Sequence, residues 1–298
     1  MNILITGGTG LIGRALCQHL QQQGHCISVL SRRTDQVAAL CSGATGVGSL
    51  AQLNGQPPFD AVINLAGAPI VDRHWSNTRR QQLRDSRIRL TDTLVQWMQQ
   101  QDIAPATLIS ASAIGWYGDC SDALLDEHSP PGGNDFASQL CQDWETAARQ
   151  AETNSRVVLL RIAPVLAAEG GLLARMRLPF RLGLGGRLGS GHQWMPWIHL
   201  HDLLRLIVHL LHNSQCSGVY NACAPLPASN AEFTRCLARA VGRPALLPVP
   251  VWLLKGLLGE RSVLLLGSQN LRPLRTAQSG FSWQYSDLQL ALTACLQR

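Results

Sequence analysis

Residues 1–13 read MNILITGGTGLIG and join a short apolar run, a glycine turn and the start of an amphipathic segment. The run from Asn2 to Thr6 is rich in Ile and Leu and predicts a buried strand, and a helix is predicted over Leu11 to Gln21. The glycines fit both G-x-G-x-x-G and G-x-x-G-x-x-G, and they stand between a strand and a helix, as the motif requires. The stretch therefore predicts the first half of a βαβ unit that binds a dinucleotide.

The glycine turn has the parts needed to hold a pyrophosphate. One glycine allows the tight turn, a second lets the backbone approach the phosphates, and Gly13 lets the helix pack close to the strand. The helix N-terminus then directs unpaired N–H groups and its positive dipole end at the phosphates. We predict that the cofactor contacts every residue of this turn, namely Gly7, Gly8, Thr9, Gly10, Leu11, Ile12 and Gly13.

The end of the second predicted strand indicates which dinucleotide is bound. Cys26 to Leu30 is apolar, and Ser31, Arg32 and Arg33 follow it. Proteins that bind NAD usually carry Asp or Glu here, to bond the ribose hydroxyls. A hydroxyl and a guanidinium would instead hold a 2′-phosphate through charge-assisted hydrogen bonds. We predict NADP(H), with Ser31 and Arg32 at the 2′-phosphate, whereas Arg33 is explained by solvation alone.

Up to about residue 165, apolar runs alternate with amphipathic segments. Further strands are predicted over 60–65, 106–110 and 157–161, and helices over about 77–100 and 135–152. This alternation predicts an α/β fold with a doubly wound parallel sheet. Because ligands bind at the carboxyl ends of such strands, the turn after the third strand is also predicted to contact the cofactor, through Leu65, Ala66 and Gly67.

From Gly170 onward the pattern changes to glycine-rich loops and helices. The stretch GGLLARMRLPFRLGLGGRLGSGHQWMPWIH mixes glycines, arginines and tryptophans, and long loops of this kind are usually functional. An irregular cover over the sheet is the alternative. We predict an NADP-binding Rossmann core over 1–222, which carries a substrate-side insertion at about 166–215, and a smaller, mostly helical C-terminal lobe over 223–298.

Composition narrows the classes of partner. The net charge is +6 over 298 residues, but the arginines are scattered, with no run longer than two, so a nucleic-acid partner is not favoured. The nine cysteines are dispersed and lack metal-ligand spacing, which favours reduced thiols, a cytoplasmic location and no metal site. The longest apolar runs are too short to span a bilayer, so no membrane partner is expected. A small-molecule substrate remains as the expected partner, with the oligomeric state open.

Several motifs together resemble the extended short-chain dehydrogenase/reductase superfamily. They are the glycine turn, NLAG at 64–67, SASAIGWYG at 110–118, RIAP at 161–164 and WIHLHD at 197–202, which is similar to the I-H-x-x-D of that superfamily. The chain is identified as a member of its NAD-dependent epimerase/dehydratase family, in the YfcH-like "epimerase family" subgroup, by the phrase PFRLGLGG…GSGHQ…WIH and the C-terminal region 248–296. The resemblance implies a Rossmann fold and places Pro164 near the nicotinamide, but the name "epimerase" does not establish a reaction.

The chain departs from the superfamily at its reacting centre. Relatives use a Tyr-x-x-x-Lys motif as general acid/base, and no tyrosine of this chain has a lysine four residues on; Lys255 is the one lysine. By spacing from Ser112, which matches the superfamily's serine, the tyrosine and lysine positions fall at Ala137 and Cys141. The superfamily's asparagine aligns with Arg87, which we predict to bind a cofactor phosphate or ribose.

Three classes of function are consistent with these residues. If the protein is an enzyme, it is an NADP(H)-dependent oxidoreductase or epimerase acting on a small carbonyl, hydroxyl or sugar-like substrate. Ser112 would then orient the substrate, and the proton would come from Tyr117, His192 or a bound water. The alternative is a non-catalytic NADP(H)-binding sensor or partner-binding protein, and the resemblance to relatives linked to the division machinery implies a possible role in cell division. A structural module stabilised by its cofactor is a further reading.

Overall fold

The structure is a computed structural model that describes residues 1–296. Its strands are β1 (Asn2–Thr6), β2 (Cys26–Leu30), β3 (Thr45–Val47), β4 (Ala61–Asn64), β5 (Thr107–Ala113), β6 (Leu124–Leu125), β7 (Arg156–Ile162), β8 (Val165–Leu166), β9 (Trp194–Met195), β10 (Ile198–His199), β11 (Gly218–Ala222), β12 (Ala228–Ser229) and β13 (Asn270–Leu271). Its α-helices are α1 (Leu11–Gln22), α2 (Val37–Leu40), α3 (Asn77–Arg84), α4 (Leu90–Gln99), α5 (Phe136–Arg149), α6 (Gly171–Arg181), α7 (Leu200–His212), α8 (Asn230–Val241), α9 (Val251–Leu258), α10 (Val263–Leu266), α11 (Leu274–Gln278) and α12 (Leu288–Leu296).

Seven strands form one parallel sheet in the order β11-β7-β5-β4-β1-β2-β3. The strand order reverses between β1 and β4, so the crevice at their carboxyl ends is the place where such folds bind ligands. Thr6 ends β1 there and pairs with Leu30 on one side and Asn64 on the other. The predicted doubly wound α/β fold is confirmed.

Alternate residues of β1 face two different helical layers. Ile3 and Ile5 pack with residues of α1 and α7, whereas Leu4 faces the opposite layer, where Leu94 of α4 and Ala148 of α5 lie. A strand covered on both faces must be apolar throughout, and this explains the uninterrupted run at the start of the chain. The central strand is thereby fixed, and with it the glycine turn that follows.

Helix α7 belongs to the layer that covers the sheet. It lies within residues 166–215, the predicted substrate-side insertion, yet it packs against α1 and buries Leu203, Leu206, Ile207 and Leu210 in the core that contains β1. Helix α7 is thus part of the layer on the sheet, and the substrate-side role of α6 and the glycine-rich loop stays a prediction. The division of the chain at residue 222 stays a prediction.

The C-terminal helices form a second apolar cluster that is joined to the sheet. Helices α6, α8 and α12 meet through Phe180, Phe233 and Leu292. The lobe returns to the core through the parallel pair β6–β13 and through Trp283, whose Nε1 donates to the Cys223 carbonyl over 2.9 Å. None of the helices within residues 1–296 has the length and apolar character needed to cross a bilayer.

Local sequence signals predicted most ends of the helices and strands. The structure differs from the prediction in two elements. Helix α8 spans the predicted residues, from the Ser229 cap to Gly242 in the left-handed conformation. The helix predicted over 77–100 is interrupted by a π-helical turn at Asp85–Arg89. Strand β3 was not predicted, because its three residues at a sheet edge include two exposed ones and show no period.

Candidate cofactor site and reacting centre

The glycine turn is shaped by backbone contacts that exclude side chains. Gly7 has φ +71°, and a Cβ there would lie 2.6 Å from the Leu65 carbonyl oxygen. A Cβ on Gly13 would lie 2.3 Å from the Gly7 carbonyl oxygen. The Gly10 N–H donates to that same oxygen over 3.0 Å and closes the turn. The turn is therefore a cradle of bare backbone, which suits the close approach of a pyrophosphate.

The N-terminus of α1 is available to an anion. Gly10 caps the helix without a side-chain hydrogen bond, and the first turn carries no acidic residue. A carboxylate in that turn would compete with phosphate for the N–H groups and for the positive dipole end, so its absence fits the predicted cofactor.

The end of β2 is basic, as expected from the sequence. The Arg33 N–H donates to Ser31 Oγ over 3.1 Å, and the Ser31 N–H donates to the Val47 carbonyl of β3 over 2.9 Å. Arg32 is exposed, and residues 26–34 include no Asp or Glu. Ser31 is thus held by the backbone, and the exposed Arg32 side chain follows it in the chain.

Arg87 lies beneath the turn that follows β4. Its Nη2 donates to the Ala68 carbonyl over 3.0 Å, and a Cβ on Gly67 would lie 3.0 Å from its Cζ. The guanidinium carbon also lies 5.3 Å from the ring centre of Trp144, and burial lowers the pKa of Arg87 to about 10. The Arg87 side chain therefore packs against the Leu65–Gly67 turn and stabilises it. Its contact with the cofactor stays a prediction.

Ser112 is joined to a buried ion pair. Its Oγ donates to Glu145 Oε1 over 2.8 Å, and Arg161 binds both Glu145 oxygens, with Nε at 2.8 Å from Oε1 and Nη2 at 2.9 Å from Oε2. All three side chains are at most 3 % exposed. Burial alone would lower the pKa of Arg161, but its hydrogen bonds and charge interaction with Glu145 outweigh burial and raise it. The pair is therefore charged, and the Ser112 proton is held by a carboxylate.

Tyr117 lies inside the same network. Its hydroxyl donates to Asn221 Oδ1 over 2.7 Å and accepts from Arg161 Nη1 over 2.9 Å, and the side chain is fully buried. Burial raises the pKa of Tyr117 to about 12. Hydrogen bonds through Glu145 and Arg161 thus connect Tyr117 to Ser112. The Tyr117 hydroxyl, however, is already bonded to two buried side chains.

The tyrosine and lysine positions of the superfamily carry no acid/base group here. Ala137 and Cys141 lie one turn apart on α5 and face Gly115, whose added Cβ would lie 3.6 Å from Ala137 Cβ and 3.4 Å from Cys141 Sγ. Burial, and after it the charge of Glu145, raise the pKa of Cys141 to about 12. The thiol is therefore neutral at physiological pH and cannot replace a lysine.

His192 lies apart from this network, on an exposed turn of the glycine-rich loop. Its N–H donates to Ser190 Oγ over 3.3 Å. Next to that turn, a cleft of about 460 Å³ separates the loop from α9 and α10; its polar lining is Asp119, Ser190, Gln193, Lys255 and Ser262. His192 is not among the residues that line it. The predicted proton donors are thus not brought together.

Pro164 and the turn it begins join the core to α6. The Pro164 carbonyl accepts from the Ile198 N–H over 3.1 Å. Further on, a Cβ on Gly170 would lie 3.1 Å from Leu11 Cδ1 at the start of α1. The segment after Pro164 therefore reaches the start of α1, and the contact of Pro164 with the nicotinamide stays a prediction. The site roles of all these residues stay predictions.

Sequence reasoning missed the acidic members of the buried network. Glu145 and Glu127 are 2 % and 6 % exposed, and Glu127 Oε1 accepts from the Asn221 N–H over 3.0 Å. A signal was present for Glu145, which stands four residues after Cys141 on the apolar face of α5. An acid on such a face needs a buried cation as its partner. Within residues 1–296, no group of His, Cys, Asp and Glu is placed to hold a metal ion.

Comparison with known proteins adds to this geometry. The NAD dependent epimerase/dehydratase family matches residues 3–223, and a domain of unknown function, DUF1731, matches residues 249–295. The epimerase family protein SDR39U1 of Bos taurus is 38% identical over 98% of this chain and 98% of its own. A chloroplastic homolog from Arabidopsis thaliana is 38% identical over 100% of this chain and 87% of its own. The crystal structure of human SDR39U1 (isoform 2) with NADPH has a TM-score of 0.92 at 36% identity, over 100% of this chain and 99% of that one.

Proposed function

The chain belongs to the NAD dependent epimerase/dehydratase family, and from that premise we propose that it binds NADP(H) and acts as an oxidoreductase or epimerase. Its substrate is a small molecule with a carbonyl or hydroxyl group, or a sugar-like compound. The observation that carries the proposal is the bare glycine cradle at an uncapped helix N-terminus, next to a strand end that is basic and free of carboxylates.

The preference for NADP(H) rests on Ser31 and Arg32. A 2′-phosphate at the end of β2 would meet a hydroxyl anchored by the backbone and an exposed guanidinium, without a carboxylate within residues 26–34 to repel it. The human relative was solved with NADPH, which supports the same cofactor for this chain.

The role of Ser112 follows from its bond to Glu145. A bound nicotinamide supplies or accepts a hydride at the substrate carbon. Because the Ser112 proton points to Glu145 Oε1, the remaining lone pairs of Oγ can accept a hydrogen bond from a substrate hydroxyl. When that hydroxyl is oxidised, we expect its proton to leave to a bound water, because protonation of Glu145 would leave the buried Arg161 charge without its partner. Arg161 and Glu145 together hold Ser112 in the orientation that accepts the bond from the substrate.

This geometry favours a bound water over Tyr117 and His192 as the source of the proton. The Tyr117 hydroxyl has two buried partners, and His192 lies on an exposed turn outside the lining of the cleft. Because general acid–base catalysis contributes about 10²–10⁴-fold, a site without a tuned tyrosine should turn over slowly or act on activated substrates.

The cleft between the glycine-rich loop and α9 is the proposed place for the rest of the substrate. Its volume of about 460 Å³ fits a small molecule, and its polar groups include Lys255 and Ser190. Asp119 also lines the cleft, and its Oδ1 already accepts from the Ser121 and Ser268 N–H groups.

The alternative function is a non-catalytic NADP(H)-binding sensor or partner-binding protein. It is favoured by Ala137 and Cys141, which leave no ionisable group at physiological pH where relatives carry tyrosine and lysine. A link to cell division remains a hypothesis within this alternative. For either function we propose a cytoplasmic protein without a nucleic-acid partner; one relative carries the description chloroplastic, so the compartment differs among relatives.

Calorimetric titration with NADPH and NADH tests the cofactor assignment. We expect NADPH to bind more tightly, and Arg32→Ala to weaken NADPH by roughly tenfold or more while NADH is unchanged, because a charge-assisted bond contributes about 1.5–3 kcal/mol. Arg89→Ala, an exposed arginine on the π-helical turn, is the matched control. NADH binding as tightly as NADPH would refute the assignment.

A screen of aldehydes, ketones and nucleotide sugars with NADPH tests catalysis. Turnover that falls in Ser112→Ala, with NADPH affinity retained, supports the enzyme reading. Undiminished turnover in Ser112→Ala removes the role of that serine. Tight NADPH binding without turnover on any substrate favours the sensor.

A further inference from the structure

The positive charge of the chain is concentrated in two segments. Residues 171–187 and 233–258 together hold eight of the 25 basic residues and none of the 19 acidic ones, so the rest of the chain is slightly acidic. The eight are Arg175, Arg177, Arg181, Arg187, Arg235, Arg239, Arg243 and Lys255. These eight residues are spread along the sequence, but the fold brings the two segments that carry them into contact.

The two segments form one continuous surface. Helix α6 packs against α8 through the second apolar cluster. Beyond these helices, the Val249 N–H donates to the Arg187 carbonyl over 2.8 Å, and Leu188 and Val249 form an isolated parallel bridge. We call residues 171–187 and 233–258 the basic apolar surface.

This surface also exposes large apolar side chains. Leu246 is 78 % exposed, Trp252 74 % and Leu178 64 %; the others are Leu182, Leu184, Leu247, Val251 and Leu257. Helix α9, VWLLKGLL, is apolar on every side except for Lys255, yet only Leu254 is buried. An apolar helix at the surface of a protein requires a partner to cover it.

Three of these cations line a surface depression that has room for a phosphate headgroup. Arg235, Arg239 and Arg243 follow one another at intervals of four residues, and they line a depression of about 410 Å³ together with Pro244 and Leu246. None of these three arginines forms an ion pair within the part of the chain that the structure describes. Guanidinium groups beside the protruding Leu246 side chain match an interface of phosphate headgroups and acyl chains.

We propose that the basic apolar surface docks the protein onto an anionic lipid bilayer as a peripheral contact. A second copy of the chain does not fit this surface, because neither segment contains an acid, and among the described residues only Arg175 of the eight cations has an ion-pair partner, Asp72. An isologous contact would therefore place the other seven cations against the same seven. A folded protein partner would need a separate pocket for each protruding side chain, whereas the acyl chains of a fluid bilayer rearrange around all of them. The expectation of no membrane partner rested on the lack of a spanning segment, which surface docking does not require. The inference is independent of the proposed function.

Co-sedimentation with vesicles tests the docking. Vesicles of phosphatidylcholine alone are compared with vesicles of equal parts phosphatidylcholine and phosphatidylglycerol. We expect binding to the anionic vesicles only, weakened by added salt because the charges are exposed. Arg239→Gln and Arg243→Gln should each reduce binding by about fivefold. Trp252→Ser should reduce it further, and the binding of NADPH should not change in any of these variants.

The matched controls lie outside the surface. Ile103→Ser replaces a side chain that is 65 % exposed, and Arg89→Gln removes an exposed arginine; both should bind vesicles like the parent protein. The proposal is overturned if anionic vesicles bind no better than neutral ones, or if the controls lose binding as the surface variants do. It is also overturned if Trp252→Ser abolishes self-association in sedimentation velocity, or if the arginine variants lose binding to duplex DNA and not to vesicles.

Discussion

Ser112 Oγ and Arg161 Nε share one oxygen of Glu145, each at a distance of 2.8 Å. Ser112, the last residue but one of β5, is therefore oriented by an ion pair between α5 and β7, and the candidate reacting centre and the core of the sheet depend on the same carboxylate. Removal of that carboxylate should affect both stability and the position of Ser112.

Glu145→Gln should lower the free energy of unfolding by about 3–5 kcal/mol, because the buried Arg161 charge loses its partner. Urea denaturation measures the change. Glu152→Gln is the control: its pair with Arg149 is exposed and should contribute about 1 kcal/mol or less. Equal effects of the two changes would show that the Arg161 charge does not depend on Glu145.

Gly13→Ala should abolish or strongly weaken NADPH binding. The added Cβ would lie 2.3 Å from the Gly7 carbonyl oxygen and 2.6 Å from Gly8 Cα, and these are backbone atoms that cannot rotate away. The turn or the helix must move, and hydrogen bonds to phosphate are lost, so calorimetry should show a loss of roughly tenfold or more. Gly256→Ala in α9, where no atom lies within 4 Å of the new Cβ, should leave NADPH affinity unchanged.

Tyr117→Phe should act on stability and leave cofactor binding intact. It removes a hydroxyl that satisfies Arg161 and Asn221, and unsatisfied buried groups cost about 1–3 kcal/mol each. Chemical denaturation should show this loss, and NADPH titration should show no change. Unchanged stability combined with loss of turnover on a substrate found by screening would instead assign the phenol a catalytic role.

The unfolding free energy should fall as the pH rises above about 9. Burial raises the pKa of Cys141 from 9.0 to about 12, so the thiol ionises more readily in the unfolded chain, and its stabilising effect is complete below pH 9 and is lost as the pH approaches 12. In Cys141→Ala the dependence on pH should be shallower by up to about 1.4 kcal/mol per pH unit. Cys26→Ser, which removes an exposed thiol, is the control for the loss of a thiol as such.

The sequence predicted those elements whose signals are local. The strand, turn and helix of residues 1–22 follow from apolar period and glycine spacing, and α8 follows from its Ser229 cap and its Gly242 stop. The basic end of β2 was also predictable from the sequence, because it is formed by adjacent residues.

The buried network was not predictable in the same way. Ser112 and Glu145 are 33 residues apart and Tyr117 and Asn221 are 104 apart, so their pairing depends on how α5 and β11 pack on the sheet. The location of the cations on one face also escaped sequence reasoning, since Arg187 and Val249 meet only through the fold. Sequence periodicity shows which face of a helix or strand is buried. It does not show which side chain of another element packs against that face.

The return of the C-terminal segment to the sheet limits how the chain can be dissected. The Asp202 carboxylate at the start of α7 accepts from the Gln284 and Tyr285 N–H groups over 2.9 and 2.8 Å, and β13 pairs with β6. A fragment that ends near residue 223, where the first family match stops, would lose both of these backbone donors to a fully buried carboxylate and keep only Arg205. We therefore expect the two matched regions to unfold together, so that an expression fragment or a domain swap should carry both.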